Sequence, residues 1–211
     1  MIVLAHHIVF DLDGTLWDPM EMAAEAWRQG CHVYGIDETI ITHDNLSKAF
    51  GHPIGELGEV MLPGVDPSIQ SSVIDRVSLL EVQLIPLGLG TPYPDLHAVM
   101  EELALAHKLY ICSNCQKGYI EAFLQTYSLE HLFSDTICAG DTGFGKGANL
   151  ALLLTRNAID DAVMVGDMDS DRNAAIENRI PFIHATYGFG EVHDGEMRID
   201  SLMDLANRIR R

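Results

Sequence analysis

The sequence predicts an α/β fold: a doubly wound parallel sheet with an all-helical domain inserted after its first strand. Three observations carry the prediction. From residue 95 onward, helical patterns alternate with short apolar strand patterns, which calls for a parallel sheet with helices on both faces. Between residues 17 and 88 the apolar residues recur at helical spacing and no strand pattern interrupts them. Four strand ends carry polar clusters, at Asp11/Asp13, Ser113/Asn114, the loop containing Lys146, and Asp167/Asp171. Residues 1–16 and 89–211 are therefore expected to form the core domain, and residues 17–88 the insert.

The elements follow in order. "MIVLAHHIVF" is apolar but lacks a basic start and a small-residue cleavage site, so it reads as a β-rich opening over residues 2–11, not a signal peptide. In "MEMAAEAWRQGCHVYG", Ala23, Trp27, Cys31 and Tyr34 share a helical face and Gly35 is the expected stop. Asp66-Pro67 reads as an N-cap followed by proline in the first helical position, with Ile69, Val73, Val77, Leu80 and Leu84 behind it. "PLGLGTPYP", residues 86–94, reads as a hinge. Helices are then expected at 95–106, 117–127, 148–157, 170–178 and 201–210, with strands at 108–112, 136–139, 162–166 and 181–185.

Composition narrows the function classes. The 211-residue chain carries a formal net charge of −18, which repels nucleic acid and requires a local cation for any anionic substrate. No apolar run reaches the roughly 18–20 residues of a membrane-spanning helix. Cys31, Cys112, Cys115 and Cys138 do not make a disulfide framework at this length, so a cytoplasmic, reduced state is expected. Monomer and homodimer both stay open.

Each motif has a rival reading. "VGDMDSDR" offers three carboxylates in five positions, but an EF-hand counted from Asp167 needs glycine and glutamate where Arg172 and Asn178 stand. A solvated acidic turn is the bland alternative. Gly140 to Lys146 fits G-x-x-x-x-G-K, yet Gly147 stands where a P-loop needs Ser or Thr. Cys112-Ser-Asn-Cys115 has redox spacing, but small thiols filling tight space explain it as well. In "FDLDGTLWD", turn chemistry explains Asp13-Gly14 but leaves Asp11, at the end of a buried strand, unexplained.

On these residues the chain resembles the haloacid dehalogenase superfamily. The match runs over the whole chain and rests on Asp11-Leu-Asp13-Gly-Thr15-Leu, Ser113-Asn114, Lys146 and Gly166-Asp167-x-x-Ser170-Asp171, in that order. The insert looks like that superfamily's small helical cap, as in the phosphoglycolate-phosphatase and β-phosphoglucomutase branches. Gly147 departs from the Lys-Pro often found in the third motif, and Lys117 is a second candidate for phosphate contact.

The resemblance implies a magnesium-dependent phosphatase with a Rossmann-like core, acting on a small phosphorylated metabolite. Asp11 would be the nucleophile, Asp13 the acid–base, and Ser113 and Lys146 the holders of the phosphoryl oxygens. Backbone groups near Leu12, Gly14 and Asn114 would complete the phosphate cradle. Asp11, Asp13 through its carbonyl, Asp167 and, directly or through water, Asp171 would hold Mg²⁺. Elementary electrostatics agrees, since each like-charge pair at 4 Å costs about 4 kcal/mol at an effective dielectric of 20. Asp13 speaks against the family's dehalogenases, which need no leaving-group acid. A phosphonate hydrolase would need a cap lysine, and Lys48 is the only one. A sugar phosphomutase and a non-catalytic metal- or phosphoprotein-binding module are the alternatives. Arg28, Lys48 and Arg76 are the cap's cations, and "GHPIGELG", residues 51–58, is a cap loop that either reaches the site or only turns between helices.

Overall fold

The computed structural model describes residues 3–50, 52, 54–192 and 197–210. Its centre is a sheet of six strands: β1 His7–Phe10, β2 Lys108–Ser113, β3 Phe133–Cys138, β4 Ala162–Gly166, β5 Phe182–Ala185 and β6 Met197–Ile199. They lie in the spatial order β3-β2-β1-β4-β5-β6, and every pairing is parallel. Chain order reverses between β1 and β4, so the sheet is doubly wound and its switch point lies beyond these two strands.

Alternation along the strands explains why both faces are covered. Ile8, Phe10, Leu109, Ile111, Val163, Val165 and Ile183 enter one buried cluster. Their neighbours Val9, Tyr110, Cys112, Met164 and Phe182 enter the other. No strand of this kind has a solvent face, which is why each reads as a continuous apolar run.

Ten residues after β1 the chain enters a helical segment. It comprises α1 Met20–Val33, α2 His43–Ala49, α3 Leu57–Met61 and α4 Pro67–Leu84. Helices α1 and α4 pack together, and Gly30 permits it: a Cβ there would sit 2.6 Å from Val77. Gly35 follows α1 at φ +65°, and the Asp66 side chain accepts the Ser68 N–H at 2.9 Å, so both expected helix ends are present. At the hinge sequence, Trp17–Asp18 pairs antiparallel with Thr91–Pro92, tying together the two chain crossings.

Apart from a single turn at Ala139–Thr142, which ends β3 one residue before the expected Ala139, the remaining α-helices are α5 Leu96–Ala104, α6 Tyr119–Thr126, α7 Lys146–Arg156, α8 Asp169–Asn178 and α9 Leu202–Arg208. Several boundaries differ from expectation for local reasons. Asp95 and Gly118 take positive φ, 63° and 87°, so α5 and α6 start only after them. Helix α7 starts at Lys146, two residues early, behind an extended Gly145. Strand β3 begins at Phe133, three residues early, where β2 offers a ladder. The expected last helix stops at Arg208, because Ile209–Arg210 pairs with Val3–Leu4, and this pair splits the opening segment. Edge strand β6 has no counterpart in the sequence reading. Of the helical-face residues, Ile69 and Tyr34 are exposed.

Candidate active site

The site assembles at the switch point. Asp11 follows β1, and its N–H donates to Val165 O of β4 at 2.8 Å; Asp167 follows β4. Two adjacent strands thus deliver one carboxylate each to the same edge. Asp171 stands in the first turn of α8. Carboxylate oxygens of Asp11, Asp167 and Asp171 all lie within 4.8 Å of one another, and all three residues are buried.

Lys146 opposes them. Its Nζ lies 2.8 Å from Asp11 Oδ1 and donates to Asp171 Oδ1 at 2.5 Å, and the side chain is buried. One ammonium among three carboxylates leaves excess negative charge in a dry place. Burial pushes the Asp11 carboxyl up to about 7, with Asp171 adding to the rise and Lys146 partly offsetting it. Asp167 is likewise raised by burial and then by Asp171 and Asp11. Burial alone would lower the lysine, but Asp11 and Asp171 outweigh it and hold the ammonium charged.

Backbone geometry fixes the carboxylates. Asp167 Oδ2 accepts the Phe189 N–H at 2.7 Å, and Asp171 Oδ2 accepts the Met168 N–H at 3.0 Å. Gly14 has φ +78°, and a Cβ there would fall 2.2 Å from Asp167 Oδ2, so only glycine lets the first turn lie against the second acid.

Asp13 is handled differently. Its Oδ1 accepts from Trp17 Nε1 at 2.8 Å and from Tyr119 OH at 2.9 Å. Burial raises its carboxyl to about 6 against the lowering effect of these two donors. With Oδ1 doubly engaged, Oδ2 is the oxygen that can hold a proton. Trp17 and Tyr119 escaped the sequence reading. Trp17 stands four residues after Asp13 across a tight turn, a spacing that could have been noticed; Tyr119 is 106 residues away and gives no signal.

Asp11, Asp13, Ser113, Asn114 and Lys146 line one pocket, with Asp167 and Asp171 buried behind them. Ser113 Oγ accepts the Cys115 N–H at 3.3 Å. The Leu12 side chain is fully buried, so only its backbone is available to a ligand. Lys117 is exposed and does not line the pocket. Lys48 pairs with Asp44 and is 64 % exposed, which removes it as a buried Schiff-base lysine. His52, from the "GHPIGELG" loop, lines the pocket; Gly51 and Pro53 of that loop lie outside the described residues. Lys146 faces carboxylates, so its G-x-x-x-x-G-K context does not act as a P-loop here. The four cysteines are unbridged and buried, and burial pushes the Cys112 thiol up to about 12. They pack; they are not poised for redox chemistry. Among the described residues no helix is long and apolar enough to cross a membrane.

Doubly wound sheet and buried acid–lysine cluster together define an α/β enzyme with its cleft at the carboxyl edge. The family model for haloacid dehalogenase-like hydrolases matches residues 8–185, and the chain belongs to that family. It is 31 % identical over 174 residues to a protein of Aquifex aeolicus named phosphoglycolate phosphatase, covering 79 % of this chain and 78 % of that one. A protein of the same name from Agrobacterium fabrum is 24 % identical over 214 residues, covering 93 % and 87 %. In fold, a haloacid dehalogenase-like family hydrolase of Streptococcus pneumoniae superposes with a TM-score of 0.80 at 20 % identity, over 96 % of this chain and 98 % of that one.

Proposed function

We propose that the protein is a magnesium-dependent phosphatase that hydrolyses a small phosphate monoester through an aspartyl-phosphate on Asp11. The observation that carries this reading is the division of labour among the acids. Asp11, Asp167 and Asp171 converge with one lysine, while Asp13 is turned aside by Trp17 and Tyr119. The names of the two relatives support the reaction class.

The donor set suits a hard divalent cation: buried carboxylate oxygens, excess negative charge, and no nitrogen or sulfur ligand in the cluster. Asp11, Asp167, the Asp13 carbonyl and, directly or through water, Asp171 would hold it. Magnesium would supply charge neutralisation that lets an anionic nucleophile approach an anionic phosphoryl group. The chain's own residues do the rest. Asp11 attacks phosphorus as the bond to the leaving oxygen breaks, and Asp13 Oδ2 gives that oxygen its proton. Asp13 then takes a proton from water as the water attacks phosphorus, and the bond to Asp11 breaks. Lys146 and Ser113 hold phosphoryl oxygens, with backbone N–H groups near Leu12, Gly14 and Asn114.

The division into a core of residues 1–16 and 89–211 and a helical cap of residues 17–88 belongs to the same proposal. So does a cytoplasmic setting, supported by four unbridged thiols. The test is turnover of p-nitrophenyl phosphate. Magnesium should be required, and chelation should abolish activity. Hydrolysis unaffected by chelation, or no hydrolysis of any phosphate ester with magnesium present, would contradict the reading.

A further inference from the structure

The pocket wall opposite the carboxylates comes from the helical segment. Trp27, Leu46, Phe50 and Leu57 make most of it apolar. Its acidic group is Glu81 of α4, whose Oε2 accepts from Gln116 Nε2 at 2.6 Å. Burial raises the Glu81 carboxyl, and nearby Asp13 adds to the rise. Among the described residues Lys146 is the only lysine or arginine lining the pocket, and it is engaged by Asp11 and Asp171.

The other cations point elsewhere. Arg28 pairs with Glu25 at 2.7 Å, and neither lines this pocket. Arg76 is exposed and also outside the lining. His52 does line it, but its Nδ1 lies 3.0 Å from Glu56 Oε2, so a carboxylate already faces that imidazole. A leaving group carrying its own carboxylate or second phosphate would therefore be buried without an uncommitted lysine or arginine among the described residues lining the pocket, and beside Glu81, which repels it once ionised. An uncharged carbon skeleton would instead cover Trp27, Leu46, Phe50 and Leu57.

We infer that this enzyme selects phosphate monoesters of uncharged, largely apolar alcohols, and that Glu81 is the specificity residue that rejects anionic leaving groups. The inference rests on the phosphatase reading above and separates this chain from what the names of its two relatives imply.

The experiment compares kcat/KM for benzyl phosphate and phosphoglycolate with magnesium at pH 8, where Glu81, raised to about 7, is ionised; both are esters of alkyl alcohols, and p-nitrophenyl phosphate is a general reporter. Benzyl phosphate should be favoured at least about tenfold, since like-charge contacts in an interface are strongly disfavoured. Glu81→Gln should raise the phosphoglycolate-to-benzyl ratio by about tenfold on the same ground. Phosphoglycolate turned over as well as or better than benzyl phosphate would overturn the substrate class, and the wild-type ratio decides this without any variant. A ratio unmoved in folded Glu81→Gln would overturn the role of Glu81. No turnover of any of the three esters would instead overturn the phosphatase reading, and this inference with it.

Discussion

The two walls of the pocket are built by opposite means. On the sheet side, every charged group is delivered by a strand end or the first turn of a helix and is pinned by a hydrogen bond or ion pair. On the helical side, side chains from α1, α2, α3 and α4 meet across a bundle, and most of what they present is apolar. In the proposed reading, the first wall fixes where a phosphoryl group can react and the second governs which alcohol can be attached to it. Chemistry here needs distances set to a few tenths of an ångström, and short backbone motifs supply that; selection needs only shape and charge, which packed helices supply.

Breaking the sheet-side wall should therefore cost far more than altering its supports. Asp13→Asn keeps the shape but cannot shuttle a proton, and kcat should fall by about 10²–10⁴-fold. Steady-state kinetics on an alkyl ester, whose leaving group needs protonation, is the check. A loss below tenfold would remove Asp13 from the proton-transfer role.

Tyr119→Phe deletes one of the two donors to Asp13 Oδ1 and little else. Loss of one hydrogen bond to a charged group should lower kcat by about tenfold. The direction of the pH effect follows from the bond. Tyr119 holds the Asp13 carboxyl down, so its loss raises that carboxyl further, and the alkaline limb, where the acid loses its proton, moves to higher pH. A pH–rate profile with an unmoved alkaline limb would show that Tyr119 does not act through Asp13.

The smallest effect is on stability. Asp11 and Glu81 are raised to about 7 and Asp13 to about 6. The folded chain then binds these protons more tightly than the unfolded chain does. Without magnesium, stability should fall as pH rises from about 4 to about 7. Added magnesium should raise Tm more at pH 7 than at pH 5, because it competes with protons for the same carboxylates. Thermal melts with and without magnesium read both trends, and a metal-induced shift larger at pH 5 would contradict them.

The contrast between the walls also explains what the sequence could reveal. Asp11, Asp13, Asp167 and Asp171 were legible because each sits at a fixed offset from an apolar strand, and parallel strands at a switch point must open on one edge. Lys146 was legible as a cation before a helix, but not its engagement by Asp11 and Asp171. Trp27, Phe50 and Glu81 looked like any helical residues, because what brings them to one wall is packing between helices far apart in the chain. Tyr119 was hidden for the same reason. Strand β6 is only three residues long and half-buried at the sheet edge, too little pattern for a strand to show.

The central claim is that Asp11 carries the phosphoryl group. Acid quenching during turnover with magnesium, borohydride reduction of the acyl phosphate and peptide mass spectrometry would mark the phosphorylated residue. Modification is expected at Asp11, dependent on magnesium, and absent in Asp11→Asn. Turnover with a different aspartate marked, or undiminished activity of Asp11→Asn, would contradict the account.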